Sequence, residues 1–163
     1  MKVSYIDDVS ERLSFYYDIK SDQIINNTFF DLYAVSNVQN SKYMGSKKVV
    51  VYAYNNNSYI YIKKEKVITI DSIVEVLDKN VEILLNQSRD DDNHMSTHYT
   101  FVFVSDTTID NETIKFVKKY RKQKSYSFGL NGWSSIGIIL ISLNNNTVIN
   151  NKDAKRIAKA FKS

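Results

Sequence analysis

Cysteine and proline are both missing from the 163 residues. Without cysteine there is no disulfide, no thiolate metal site and no cysteine nucleophile. Proline at its average usage of about 5% would appear about eight times. Its absence, beside abundant asparagine, isoleucine, lysine and tyrosine, is what an AT-rich coding sequence produces, and it carries no functional meaning. Glycine occurs four times and tryptophan once. Long apolar runs are missing too: the longest, Ile136 to Leu143, is broken by Gly137 and Ser142, far short of the roughly 20 residues of a membrane span. Residues 1–8 lack the apolar run of a secretion signal. Serine nucleophile elbows and phosphate-binding loops of the Walker type are also absent. These absences predict a cytoplasmic protein with no membrane partner and no strong catalytic signature. Cofactors stay unassigned.

What is present is enough for an ordinary core, with 43% apolar residues. A chain of this length is expected to form a single domain spanning 1–163 and to bury roughly 70% of its unfolded surface. The formal charge of +4 hides a division. From Lys115 onward there are eleven basic side chains and one acid, Asp153, whereas residues 1–114 hold eleven basic and seventeen acidic side chains. Coding bias inflates lysine but does not cluster it, and so divided a field steers a polyanion toward one part of a molecule.

The hydrophobic periodicity predicts a helix over 8–19, with Asp8 and Glu11 at capping-box spacing and Val9, Leu13, Tyr16 and Tyr17 on one face. Residues 21–27 read as a polar turn, 29–35 as a strand and 37–46 as a loop. Residues 48–54 and 58–63 are β-branched and tyrosine-rich and flank Asn55, Asn56 and Asn57, which predicts a β-hairpin. A helix over 71–86, capped by Asp71, has an apolar stripe wide enough for packing on a sheet. Residues 98–104 and 135–143 are apolar almost throughout, as in strands covered on both faces. Asp110 caps a helix whose inner edge is Ile114, Val117 and Tyr120. An asparagine turn at 144–146 leads to a short strand at 148–149. Asn150 or Asn151 caps a last helix with Ala154, Ile157, Ala158 and Phe161 inside. The fold class is therefore α+β, a mixed and partly antiparallel sheet with helices on its faces.

That element order is compatible with the core of restriction-endonuclease-like nucleases, as it is with many other folds. The expected hairpin lacks their carboxylate and acid-x-lysine set, and Lys64-Glu65-Lys66 is out of register. Glu11 and Asp31 stand elsewhere.

Two basic stripes are the leading candidate site. Lys115, Lys118, Lys119 and Lys122 share one helical face, and Lys152, Lys155, Arg156 and Lys159 form a second. Solvated helix faces ordinarily mix signs, whereas these do not. They predict contacts to phosphates of nucleic acid or another polyanion, provided the two faces adjoin. Between them, residues 125–135 contain the only tryptophan and a Gly-x-x-Gly spacing. Phe128 and Trp133 read first as core-filling side chains, with the glycines easing a bend. The alternative reading is a surface for stacking a base. A metal-dependent hydrolase is the second functional class. Asp90 to His98 holds three carboxylates and both histidines, and His94, His98 and Asp92 are its candidate ligands, perhaps joined by Glu65. The first role for that stretch is a solvated acidic loop. Twelve tyrosines, four of them in the expected hairpin, predict a homodimer through that hairpin.

The stretches Asn93-His94-Met95-Ser96, Tyr126-Ser127-Phe128-Gly129-Leu130-Asn131-Gly132-Trp133 and Val148-Ile149-Asn150-Asn151-Lys152, together with the tyrosine-rich segment, resemble a family of uncharacterised archaeal proteins over roughly residues 30–155. The resemblance implies a self-contained domain and brings no activity with it. It also implies an acidic residue near the hairpin turn, where this chain has Asn57 or Ser58.

Overall fold

The computed structural model describes residues 4–36, 57–88, 96–126 and 132–162. They build one mixed seven-stranded sheet between two helical layers. In chain order the elements are α1 (Tyr5–Leu13), β1 (Asp18–Ile25), β2 (Thr28–Ser36), β3 (Asn57–Lys64), α2 (Ile70–Ser88), β4 (Ser96–Ser105), α3 (Asn111–Lys119), β5 (Gln123–Ser125), β6 (Trp133–Ser142), β7 (Thr147–Asn150) and α4 (Lys155–Ala158), the last flanked by 3-10 turns at Lys152–Ala154 and Lys159–Phe161. The sheet runs β1-β2-β3-β4-β6-β5, with β7 also on β6. The pairs β1–β2 and β2–β3 are antiparallel, and β3–β4 and β4–β6 are parallel. The two parallel steps need long crossovers, which α2 and α3 supply.

The expected hairpin is corrected by this order. Residues 58–62 pair with β2 on one side and 57–64 with β4 on the other, so β3 has no edge left for residues 48–54, which lie outside the described residues. The observed hairpin is β1–β2. It turns at Asn26 and Asn27, both at positive φ (51° and 61°), the left-handed geometry asparagine tolerates best after glycine. The polar stretch at 21–27 is thus mostly strand. As the sheet's edge, β1 carries Lys20, Asp22 and Gln23 where a central strand would be apolar, and that hid it from pattern reading. The first helix also starts earlier and ends sooner than expected. Ser4, not Asp8, caps it by accepting the Asp7 N–H at 3.1 Å. Helix α2 is entered through Thr69, whose hydroxyl accepts the Ser72 N–H at 3.0 Å while its own N–H donates to the Ser72 hydroxyl at 2.9 Å. Asp110 caps α3 through the Thr113 N–H at 2.8 Å, as the sequence predicts.

The sheet's two faces differ in chemistry. Toward α2 and α3 it presents aromatic rungs: Tyr33, Tyr61, Phe101 and Ile138 stand in one cross-strand row, and Tyr59, Tyr99 and Ile136 in the next. Tyr61 and Phe101 stack with centroids 4.9 Å apart, and Tyr59 and Tyr99 at 5.2 Å. Toward α1 and α4 the rows are aliphatic: Leu32, Ile62, Val102 and Ile139, then Ala34, Ile60, Thr100 and Gly137. Tyr59 and Tyr61 are therefore consumed inside the chain. Tyr61 is buried and Tyr59 half-buried in this layer, with both edges of their strand paired, and Tyr52 and Tyr54 lie outside the described residues. Among the described residues no helix is long and apolar enough to cross a membrane.

Chain ends meet on the aliphatic side. The Arg12 guanidinium donates to the carbonyls of Ala160 (2.7 Å) and Lys162 (3.0 Å), and the Tyr5 hydroxyl donates to the Phe161 carbonyl at 2.7 Å. These bonds satisfy carbonyls that the last turn would leave unpaired, and they tie α4 to α1.

Candidate functional site

One further row lies beyond Ala34, Ile60, Thr100 and Gly137 on the same face. It runs Ser36, Ser58, His98, Ser135 and Gln123 across five strands. On the opposite face this level lies between a row with Tyr59 and Tyr99 and a polar row of Asn57, Thr97 and Ser134, whereas this row is polar throughout. Their hydrogen bonds are internal: the Tyr17 hydroxyl donates to Ser58 Oγ at 2.9 Å, and His98 Nδ1 shares a hydrogen bond with Ser135 Oγ at 2.9 Å. Burial, and the Arg156 charge after it, lower the pKa of His98 against the opposing pull of Asp153. Burial and the Arg156 charge both favour the neutral imidazole.

The row ends in a cleft of about 690 Å³ lined by His98, Arg121, Gln123, Trp133, Lys152, Asp153, Lys155, Arg156, Ile157 and Lys159. Five of these side chains are cationic and one is a carboxylate. Asp153 is already committed: it accepts from Arg121 Nε at 3.2 Å and from the Gln123 amide at 2.8 Å. Among the described residues, that pairing leaves the lining of the cleft net positive, and it fixes Arg121 and Gln123 along its wall.

Two local devices hold α4 over the sheet to form that wall. Asn151 is fully buried and fills the gap on the edge of β6 between β5 and β7. Its Oδ1 accepts the Ile138 N–H at 2.9 Å and caps the Ala154 N–H at 3.2 Å, while Nδ2 donates to the carbonyls of Ile136 (3.0 Å) and Tyr120 (3.2 Å). It acts as a piece of missing strand and as the cap of the turn after it. Gly137 lets that turn approach, since a Cβ there would stand 2.9 Å from Ala154 Cβ and 3.1 Å from Thr100 Oγ1.

The structure divides the eight expected cations. Lys152, Lys155, Arg156 and Lys159 line the cleft. Lys115, Lys118 and Lys119 lie on α3, which packs through Val117 on the aromatic face, while Ala154, Ala158 and Phe161 pack on the aliphatic face. The two stripes therefore belong to opposite layers and do not form one surface. Lys122 turns toward α2, 3.4 Å from Glu82. Arg121, the cation that does reach the cleft, sits between them just past α3, off its periodic stripe, so helical spacing gave no signal for it. Gln123 gave none either.

Trp133 is not the core plug that its size suggests. It is 40% exposed and stands on the cleft wall, held edge-to-face by His98 at 5.2 Å and 85°. Gly132 precedes it at φ 81° and accepts the Tyr126 N–H at 3.1 Å, a bend that a residue with a Cβ adopts only with strain. Phe128 lies outside the described residues.

Of the expected metal ligands, His98 is a partly buried sheet residue bonded to Ser135, and His94 and Asp92 lie outside the described residues. Among the described residues no group of three His, Asp or Glu side chains is placed to hold a metal. Glu65 does not join His98: its N–H donates to Val104 at the far end of β4, roughly 20 Å away at about 3.3 Å per residue. A second cleft of about 510 Å³ lies at that end, lined by Ser4, Tyr5, Ile6, Lys64, Glu65, Lys66, Val104, Ser105, Asp106 and Leu143. Its charged groups are of both signs.

Residues 1–163 match a family model described as Domain of unknown function (DUF8052). No curated protein and no solved structure matches the chain.

Proposed function

The chain belongs to the DUF8052 family, and we propose that it is a binding module for a polyanion, nucleic acid in the first instance, that uses the cleft between α4 and the edge of β6. One observation carries the reading. Among the described residues, Arg121, Lys152, Lys155, Arg156 and Lys159 converge on a concave surface whose one carboxylate is already paired. A surface like this is attractive to phosphate groups and repulsive to cations. The Arg121 guanidinium, held by Asp153 through Nε, adds a planar donor geometry that lysine alone does not provide.

Binding to mixed single- and double-stranded oligonucleotides at two salt concentrations tests it. Each phosphate contact adds about 0.7–0.9 to the slope of log affinity against log salt, so five cations predict a slope of roughly 3–4 if most are used. Reversing Lys155 and Lys159 to Glu removes most of the low-salt affinity, whereas reversing Lys115 and Lys118 on the other layer changes it little. Equal losses from the two double variants would remove the cleft from the reading. Binding indifferent to salt would remove the polyanion.

A further inference from the structure

The cleft combines charge with an aromatic surface, and the combination says more than the charge does. Duplex nucleic acid presents phosphates to a protein but keeps its bases stacked inside. A purely electrostatic duplex or polyphosphate site has no use for a large exposed indole, yet the chain's only tryptophan stands among the cations. Its placement is constructed. Gly132 at positive φ turns the backbone into β6 at that residue, and His98 rests against the indole while Ser135 holds the imidazole. An edge-to-face contact occupies at most one face of the indole. The cavity, about 690 Å³, is of the size that holds one small ligand, about 300–1,000 Å³.

We infer that the cleft takes a phosphorylated, unpaired nucleobase, either a free nucleotide or an exposed base of a single strand, with Trp133 as the stacking surface and His98 as the residue that positions it. This rests on the polyanion reading and narrows it. The cations hold the phosphate, and the indole selects ligands that bring a planar ring. Any base stacks, so sequence preference is weak.

Because there is one tryptophan, its fluorescence reports on this site alone. Four probes are titrated: adenosine monophosphate, a short single-stranded oligonucleotide, the duplex of the same sequence, and inorganic polyphosphate, with calorimetry in parallel for probes that leave emission unchanged. Base-bearing unpaired probes are expected to quench Trp133, and the single strand to bind at least tenfold more tightly than the duplex. Trp133→Ala is expected to weaken them about 5- to 150-fold, the equivalent of one base–aromatic stack, and to leave polyphosphate unchanged. Trp133→Phe retains most of the affinity. His98→Ala weakens the base-bearing probes and not polyphosphate, with His98→Asn restoring part of the loss by keeping a polar partner for Ser135. Far-UV circular dichroism verifies that each variant is folded. A mononucleotide as tight as the strand assigns the site to free nucleotides; a strand tenfold tighter assigns it to single-stranded chains. If polyphosphate or duplex binds as tightly as the single strand, and Trp133→Ala leaves every affinity unchanged, base stacking is overturned while the polyanion reading stands. If no probe binds at low salt, both fall.

Discussion

The two faces of the sheet use the same strands for different ends. Toward α2 and α3, β4 presents Tyr99, Phe101 and Phe103, and the helices above pack an apolar cluster on them that is interrupted by the buried Asn80 of α2. Toward α1 and α4, the same strand reads His98, Thr100, Val102 and Val104, apolar at one end and polar at the other. A largely aromatic layer maximises buried area. A face that grades into polar side chains buries less but places hydrogen-bonding groups and cations next to a rigid floor. On the proposed reading, stability rests chiefly on one face of the sheet and recognition on the other.

The largest effect is expected on the aromatic face. Phe101 is fully buried and stacked on Tyr61, and Phe101→Ala should cost about 3–5 kcal/mol, read as a lower denaturant midpoint. The ligand affinity of the protein that remains folded should not move. A variant of wild-type stability would erase the distinction between the faces.

Asn151→Ala comes next. It leaves buried backbone groups of Ile136, Ile138 and Tyr120 without partners, at about 1–3 kcal/mol for each unsatisfied group with partial relief from water. A loss of roughly 3 kcal/mol is expected, together with faster hydrogen exchange at the Ile138 amide. This residue sharpens the comparison, because its loss should weaken both folding and the cleft.

Gly137→Ala probes the close approach of α4. The added methyl meets Ala154 at 2.9 Å, and overpacking of this kind costs about 1–3 kcal/mol. It should also lower cleft affinity by lifting the turn at 152–154. Adding Ala154→Gly should recover both, and failure to recover affinity would separate the packing of α4 from the geometry of the site.

The smallest effect is the pH dependence from His98. Its pKa in the folded protein is lowered, chiefly by burial. The unfolded chain therefore binds the proton more readily than the folded one, and stability falls as pH drops below the ordinary histidine value of about 6.5. The contribution is fully present above that value and is lost on the way down to the folded pKa. Melting temperatures between pH 8 and 5 should show this slope in the wild type and a shallower one in His98→Asn. Identical slopes would mean that other groups govern acid stability.

The difference between the faces also shows where sequence reading reaches its limit. The apolar runs at 98–104 and 135–143 identified the central strands because burial on both sides leaves no alternation to misread. The cap at Asp110 was legible, and that at Asn151 as one of two candidates, because a side chain that bonds the backbone three residues on has a fixed spacing; the same spacing pointed to Asp8 and Asp71, where Ser4 and Thr69 serve instead. Edge strand β1 was not legible, since one-sided pairing in solvent permits Lys20, Asp22 and Gln23 in a strand. The tyrosine-rich segment suggested a local hairpin, but β3 sits in the middle of the sheet, where its neighbours come from residues 28–36 and 96–105.

By itself the sequence determined the α+β class, the two central strands and the concentration of positive charge after residue 115, because these follow from local periodicity and composition. Which cations face each other was decided only by tertiary structure. The crossover through α3 puts Lys115, Lys118 and Lys119 on one layer, and the turn at Asn151 puts Lys152, Lys155, Arg156 and Lys159 on the other. Helical spacing reports which side chains share a face of one helix, but not which side of the sheet that helix will cover. Trp133 is the sharpest case: its size made core filling the first reading and base stacking the alternative, and only the cross-strand register that ends the aliphatic rows at His98 and Ser135 leaves it at the rim of a cleft.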